Sequence, residues 1–264
     1  MGLKSIAFRA ISLLTICSCN LGNNKNILLR LKYLKGSVID IKYRSYIVTD
    51  NENDRPLNND YIRMGLKVDS VLRDSAYLFS AKIDYVRFEH NGMLVINHQK
   101  YSSDEDVSQM TPEQKQIDLK LRPVINGSYK FSVNKNGKII KPFSLAIDSL
   151  LLPVKFDFIN LGIYQIDFPY NKIAIGDEWV NEQNIPGTKI KRKAIYKIES
   201  IYDSTIQIKV DGVKTDAFGN VNHFSGRYYL DQETCHLISC NIETKGELME
   251  TGGHGKAVVS IEAN

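Results

Sequence analysis

The sequence predicts a mainly β protein, a curved antiparallel sheet or half-barrel with a few short helices on one face. Three observations lead there. Apolar and polar residues alternate with period two through most of the chain after Ile27, as in Val38-Ile-Asp-Ile-Lys-Tyr-Arg44. Short turn-forming stretches, such as Lys35-Gly36-Ser37 and Asn134-Lys-Asn-Gly137, separate these runs. Ile and Tyr, both strand formers, are plentiful, with 14 Tyr in the chain. Hydrophobic content of 43% and charged content of 24% belong to a folded globular chain and exclude a disordered one.

Taken in order, the chain opens on a targeting segment. Residues 1–9 carry Lys4 and Arg9 and no acid, residues 10–16 are a short apolar run, and Cys17-Ser18-Cys19 follows. A basic head, an apolar middle and a small-residue exit form a secretory signal. The run is far shorter than the roughly 20 residues that span a bilayer. Ile16-Cys17-Ser18-Cys19 resembles a bacterial lipobox, which predicts a cut before Cys19 and lipidation of Cys19. Cys17 fits less well, because the bulky Ile16 would then occupy the small position. An ordinary cleaved signal with Cys19 a bystander is the alternative. Myristoylation at Gly2 fails, because position 6 is Ile where Ser or Thr is wanted. The expected division is a signal peptide (1–18), a polar flexible tether (19–26) and one β-rich domain (27–264).

Within the domain, residues 29–33 and 38–44 read as strand, turn and strand. Residues 50–60 are a polar loop whose acids lack the spacing, central Gly and final Glu of a calcium loop. Residues 61–69, 76–90 and 93–101 read as strands, with Asn91-Gly92 as a tight hairpin turn. Thr111-Pro112-Glu113-Gln114 opens a helix with a capping box, running to about Leu121 and stopped near Pro123. Its second half also alternates with period two and reads equally as strand. Residues 129–133 and 138–140 form a hairpin. Apolar residues in 143–165 recur near helical spacing around Pro153, which predicts two short helices. Strands return over 178–183, 189–201, 205–210, 224–230, 236–248 and 256–262, with Asp211-Gly212 as another tight turn.

Three stretches, taken in this order, resemble an uncharacterised family of Bacteroidota lipoproteins that is known only as a domain of unknown function. They are residues 126–139 (Asn126-Gly-Ser-Tyr-Lys-Phe), residues 168–179 (Phe168-Pro-Tyr-Asn to Gly176-Asp-Glu-Trp179) and Gly226-Arg-Tyr-Tyr-Leu-Asp-Gln-Glu-Thr234. The resemblance covers roughly residues 27–262 and implies a β-rich envelope lipoprotein. It brings no activity and no catalytic residues. Cys235 departs from the pattern, which has Gly after the Thr of this late hairpin.

The chemistry-bearing residues are sparse. His90, His98, His223, His236 and His254 are scattered and form no metal-ligand spacing. No nucleophile elbow or phosphate loop is present, so neither cofactor nor catalysis is expected. The glycine-rich 251–255 stretch precedes a strand, not a helix. Cys235 and Cys240 read as two semi-buried thiols. Lys189, Lys191, Arg192 and Lys193 form the densest basic patch. It reads as ordinary solubilising charge or as a contact for an anionic lipid or glycan. Trp179 and the other aromatics read as core, with a lipid or carbohydrate pocket as the alternative. Cleavage would remove Lys4 and Arg9 and leave a formal charge of +2, which gives no field for nucleic acid. The expected protein is an envelope lipoprotein held to the outer membrane by its N-terminal lipid and facing the periplasm. It would bind an apolar or amphipathic ligand or an envelope partner. A purely structural lipoprotein is the alternative, and a hydrolase comes third.

Overall fold

The structure is a computed structural model that describes residues 26–49, 56–72, 76–91, 99–141, 166–184, 191–215, 219–248 and 253–264. Among them, twelve strands and one α-helix follow in this order: β1 (Val38–Thr49), β2 (Asn58–Leu72), β3 (Ala76–His90), β4 (Gln99–Ser102), α1 (Pro112–Ile125), β5 (Ser128–Asn134), β6 (Ile139–Lys141), β7 (Glu178–Asn184), β8 (Lys191–Tyr202), β9 (Thr205–Thr215), β10 (Val221–Asp231), β11 (Leu237–Leu248) and β12 (Gly253–Ala263). All join one open antiparallel sheet, ordered β6-β5-β3-β2-β1-β12-β11-β10-β9-β8-β7, with β4 alongside β3. The mainly β antiparallel fold expected from the sequence is the fold observed. Two meanders make up the sheet. They meet where β1 pairs with β12, from Ile41 opposite Ala263 to Thr49 opposite Gly255.

Alternation decides which face is covered. In β8, Arg192, Ala194, Tyr196 and Ile198 are buried, while Lys191, Lys193 and Ile195 between them are exposed. The inward residues of successive strands line up into cross-strand rows. One row runs Ile198, Ile208, Tyr228, Cys240, Ile261, Tyr43, Ile62 and Val86, apolar or aromatic from end to end. Burying one such face is what holds a sheet of this size together, at about 25 cal/mol per Å² of apolar surface.

Two pieces of chain cover the β3 end of this face. Residues 27–34 alternate as expected, but they form no strand in the sheet. They cross the covered face as an extended segment, with Leu29 and Leu31 buried. Their backbone bonds go to Ile173, Lys135 and Thr234, and Arg30 holds the carbonyls of Pro169 and Tyr170. Alternation reports a half-buried extended chain whether or not it joins a ladder. Tyr77 donates to the Leu31 carbonyl at 2.7 Å, and Tyr33 meets Tyr77 and Phe79 edge-on. The second cover is α1. Thr111 and Gln114 close the capping box as the sequence requires. The helix does not stop at Pro123 but continues to Ile125. Pro123 lies in the last turn, where the hydrogen bond it cannot make would go to the exposed Leu119. Buried Asp118 fixes the helix to the sheet by accepting from Tyr101 at 2.7 Å and pairing with Arg122.

One predicted turn is not a turn in the structure. Asp211-Gly212 lies inside β9, where Gly212 pairs with both Ala194 and Phe224. The β8–β9 turn is at Asp203 and Ser204, both with positive φ (44° and 66°). The Asn91-Gly92 turn falls partly outside the described residues. His90 pairs with Gln99, so residues 91–98 separate the strands, and 92–98 lie outside the described residues. The expected helices over 143–165 and the targeting segment also lie outside them.

β3 also carries a bulge opposite Arg63 and Met64. It puts both Ile83 and Val86 on the covered face, three positions apart, and turns Tyr85 and Arg87 outward.

Candidate functional site

The covered face changes character along the strands. Beyond the apolar row, the next two rows mix small and polar residues. One runs Trp179, Tyr196, Val210, Gly226, Ile242, Val259, Ser45 and Asp60. The other runs Asn181, Ala194, Gly212, Phe224, Thr244, Ala257, Ile47 and Asn58. A polar rim follows, with Gln183, Arg192, Lys214 and Asn222. Over the central strands β11, β12 and β1, Ile242, Val259, Tyr43 and Ile47 are only half-buried. Elsewhere on this face, aliphatic side chains such as Ile62, Ile198 and Ile208 are fully enclosed. The apolar floor is thus least covered at the middle of the sheet.

Glycines shape this floor. At Gly212 a Cβ would come within 2.4 Å of the Lys193 carbonyl oxygen and 2.5 Å of Phe224 Cζ. Phe224 therefore lies flat along the sheet, and the Arg192 guanidinium rests on its ring, 4.7 Å from the centroid. Gly226 accommodates Ile242 in the same way.

Arg192 stands out in this neighbourhood. The basic patch read from the sequence is divided by the strand. Lys191 and Lys193 point outward, and Lys193 pairs with Glu182 at 2.8 Å. Arg192 points inward and is only 9% exposed. Lys189 lies outside the described residues, as does Cys19. Burial works against the Arg192 charge, but the adjacent Tyr196 and Tyr228 phenols favour it, and its pKa is raised overall. Burial in turn raises the pKa of both phenols. It also pushes the Cys240 thiol up to about 12, so this thiol stays protonated and unreactive. Trp179 stacks on Tyr196 at 5.2 Å and donates to the Asp167 carbonyl at 3.1 Å. Among the described residues, two buried polar atoms here, Asp167 Oδ1 and Asn181 Nδ2, have no hydrogen-bond partner.

The described histidines do not gather. His90 is buried against Asp60 at 2.8 Å, His236 sits by Thr234 and Tyr33, and His223 is exposed on β10. Among the described residues no group of His, Cys, Asp or Glu could hold a metal ion. Cys235 and Cys240 are free and buried. Cys235 has φ of 55°, so it takes up the left-handed turn geometry that the resemblance assigns to Gly. Sequence reasoning missed Arg192 as a buried residue and Asp167 altogether. The period-two pattern, applied strictly to Lys191-Arg192-Lys193, would have found the former.

The class defined by this geometry is an open antiparallel-sheet protein with one partly covered apolar face and a polar rim. No family model and no curated protein matches the chain.

Proposed function

We propose that this protein is a cell-envelope lipoprotein, anchored through Cys19, that binds an apolar or amphipathic ligand against the covered face of its sheet. The observation that carries the reading is the half-buried apolar floor of Tyr43, Ile47, Ile242 and Val259 beside a polar rim. Such a surface offers hydrocarbon an apolar bed and leaves a polar head at the Arg192 and Lys214 end. The tether read from the sequence and the resemblance to envelope lipoproteins support the location. The likeness to lipoprotein-carrier architecture is an analogy of fold.

The test is native mass spectrometry of the purified protein, followed by organic extraction. The expected result is a bound molecule of lipid-like mass that extraction releases. Repeated recovery of an empty protein would overturn the reading in favour of a structural lipoprotein.

A further inference from the structure

The opposite, outward face carries a second feature that the covered-face reading does not use. Arg44 on β1, Tyr61 on β2 and Arg87 on β3 face one another in a single cross-strand row. The Arg44 guanidinium carbon lies 5.4 Å from the Tyr61 ring centre, and that of Arg87 lies 5.9 Å from it. Asn59 and Tyr85 complete the lining of a hollow of about 410 Å³. The β3 bulge creates this arrangement, because it turns Tyr85 and Arg87 out while Ile83 and Val86 stay in.

Charge on this face is uneven. The neighbouring Lys42 has Glu262 at 3.9 Å. Glu89 shares the face, opposite Asn59, and the Asp104 carboxylate accepts a hydrogen bond from the Ser102 hydroxyl. Tyr85 bonds to that same hydroxyl at 2.9 Å, which fixes its ring edge-on to Tyr61. Among the described residues, Arg44 and Arg87 form neither an ion pair nor a hydrogen bond; ring contacts alone hold them. Arg63, opposite Tyr85, adds a third cation one row away.

Two unpaired guanidiniums on a rigid sheet, both drawn towards one ring, are prepared donors. Each fork can satisfy two oxygens in parallel. A carboxylate has only two oxygens and is complete with one fork. Two forks and the Asn59 amide together call for a group with three or more oxygens around one centre. We propose that this hollow is a binding site for a phosphate ester, with the phosphate between Arg44 and Arg87 and its organic part in the remaining space. The proposal is independent of the ligand on the covered face.

The full chain, produced without acylation, is titrated with glycerol phosphate by calorimetry. It is then floated with phosphatidylcholine vesicles with and without phosphatidylglycerol. Arg44→Gln and Arg87→Gln are compared with Lys191→Gln, which removes one exposed charge elsewhere. Thermal melts establish that all three fold. The expected result is saturable glycerol phosphate binding that weakens about tenfold or more in each arginine variant and not in Lys191→Gln. Flotation with phosphatidylglycerol that is lost in the same two variants supports a lipid headgroup as the source. Glycerol phosphate binding without flotation supports a soluble ester. No saturable binding by the wild type, or equal loss in all three variants, would overturn the site.

Discussion

Asp167 shows how a single residue can report on the covered face. Its carboxyl is held above the ordinary carboxylate range by burial, with Lys138 opposing the shift, and one oxygen has no partner among the described residues. For an acid whose pKa rises on folding, the native state favours the protonated form. Its contribution to stability is therefore best below the ordinary carboxylate pKa and is lost as pH rises through the raised value. Asp167→Asn should stabilise the protein at neutral pH, and the gain should fade in acid. Urea midpoints at about pH 7 and about pH 3 measure this, and a constant difference at both would refute it. Nothing in the sequence marks Asp167, since it lies between Ile166 and Phe168 where any polar residue would read as strand alternation. Arg192 was legible only as one charge among four. Its inward turn follows from the strand phase that Ala194, Tyr196 and Ile198 set, which a reading by charge alone passes over.

Strand positions were read well wherever alternation was clean, as in β5, β8 and β12, and turns were read less well. Asp-Gly and Asn-Gly are favoured in tight turns because both positions take positive φ, but Gly212 serves another purpose. It is the only residue that leaves room for Phe224 to lie across β9. Gly212→Ala should therefore cost about 1–3 kcal/mol, as overpacking does, even though Ala suits a strand better than Gly. Denaturant unfolding of this variant beside Gly36→Ala separates the two causes. Gly36 has φ of 88° with open space around its Cα, so only backbone strain operates there. The break between the strands read over 189–201 and 205–210 falls where the Asp203-Ser204 turn lies, although neither residue is Gly, since Asp is tolerant of this geometry. The capping box of α1 was legible because it is local. The length of α1 was not, because the packing of Val124 and Ile125 into the core outweighs one missing hydrogen bond.

At the scale of the whole molecule, location and fold separate. The described residues hold no helix long and apolar enough to cross a membrane; in the proposed reading the attachment is the lipid on Cys19. Cys19→Ser should abolish incorporation of a fatty-acid analogue and move the protein from the membrane to the soluble fraction, and Cys17→Ser should do neither. Label retained in Cys19→Ser would refute the anchor. Neither change should lower thermal stability, because the tether read from the sequence has no apolar period with which to join the core. Strand order was not legible at all: alternation fixes which face a residue takes, but not which strand lies beside it. The seam between β1 and β12 is the clearest instance. Its two strands are the first and last among the described residues, and they sit near the middle of the sheet. Until β12 is in place, β1 and β11 each present an unpaired edge to whatever strand comes near. A chain emerging from a ribosome or a translocon would therefore hold both meanders in waiting until β12 arrives. The timing of synthesis, as much as its chemistry, sets how long this protein is exposed to misassembly and to chaperones.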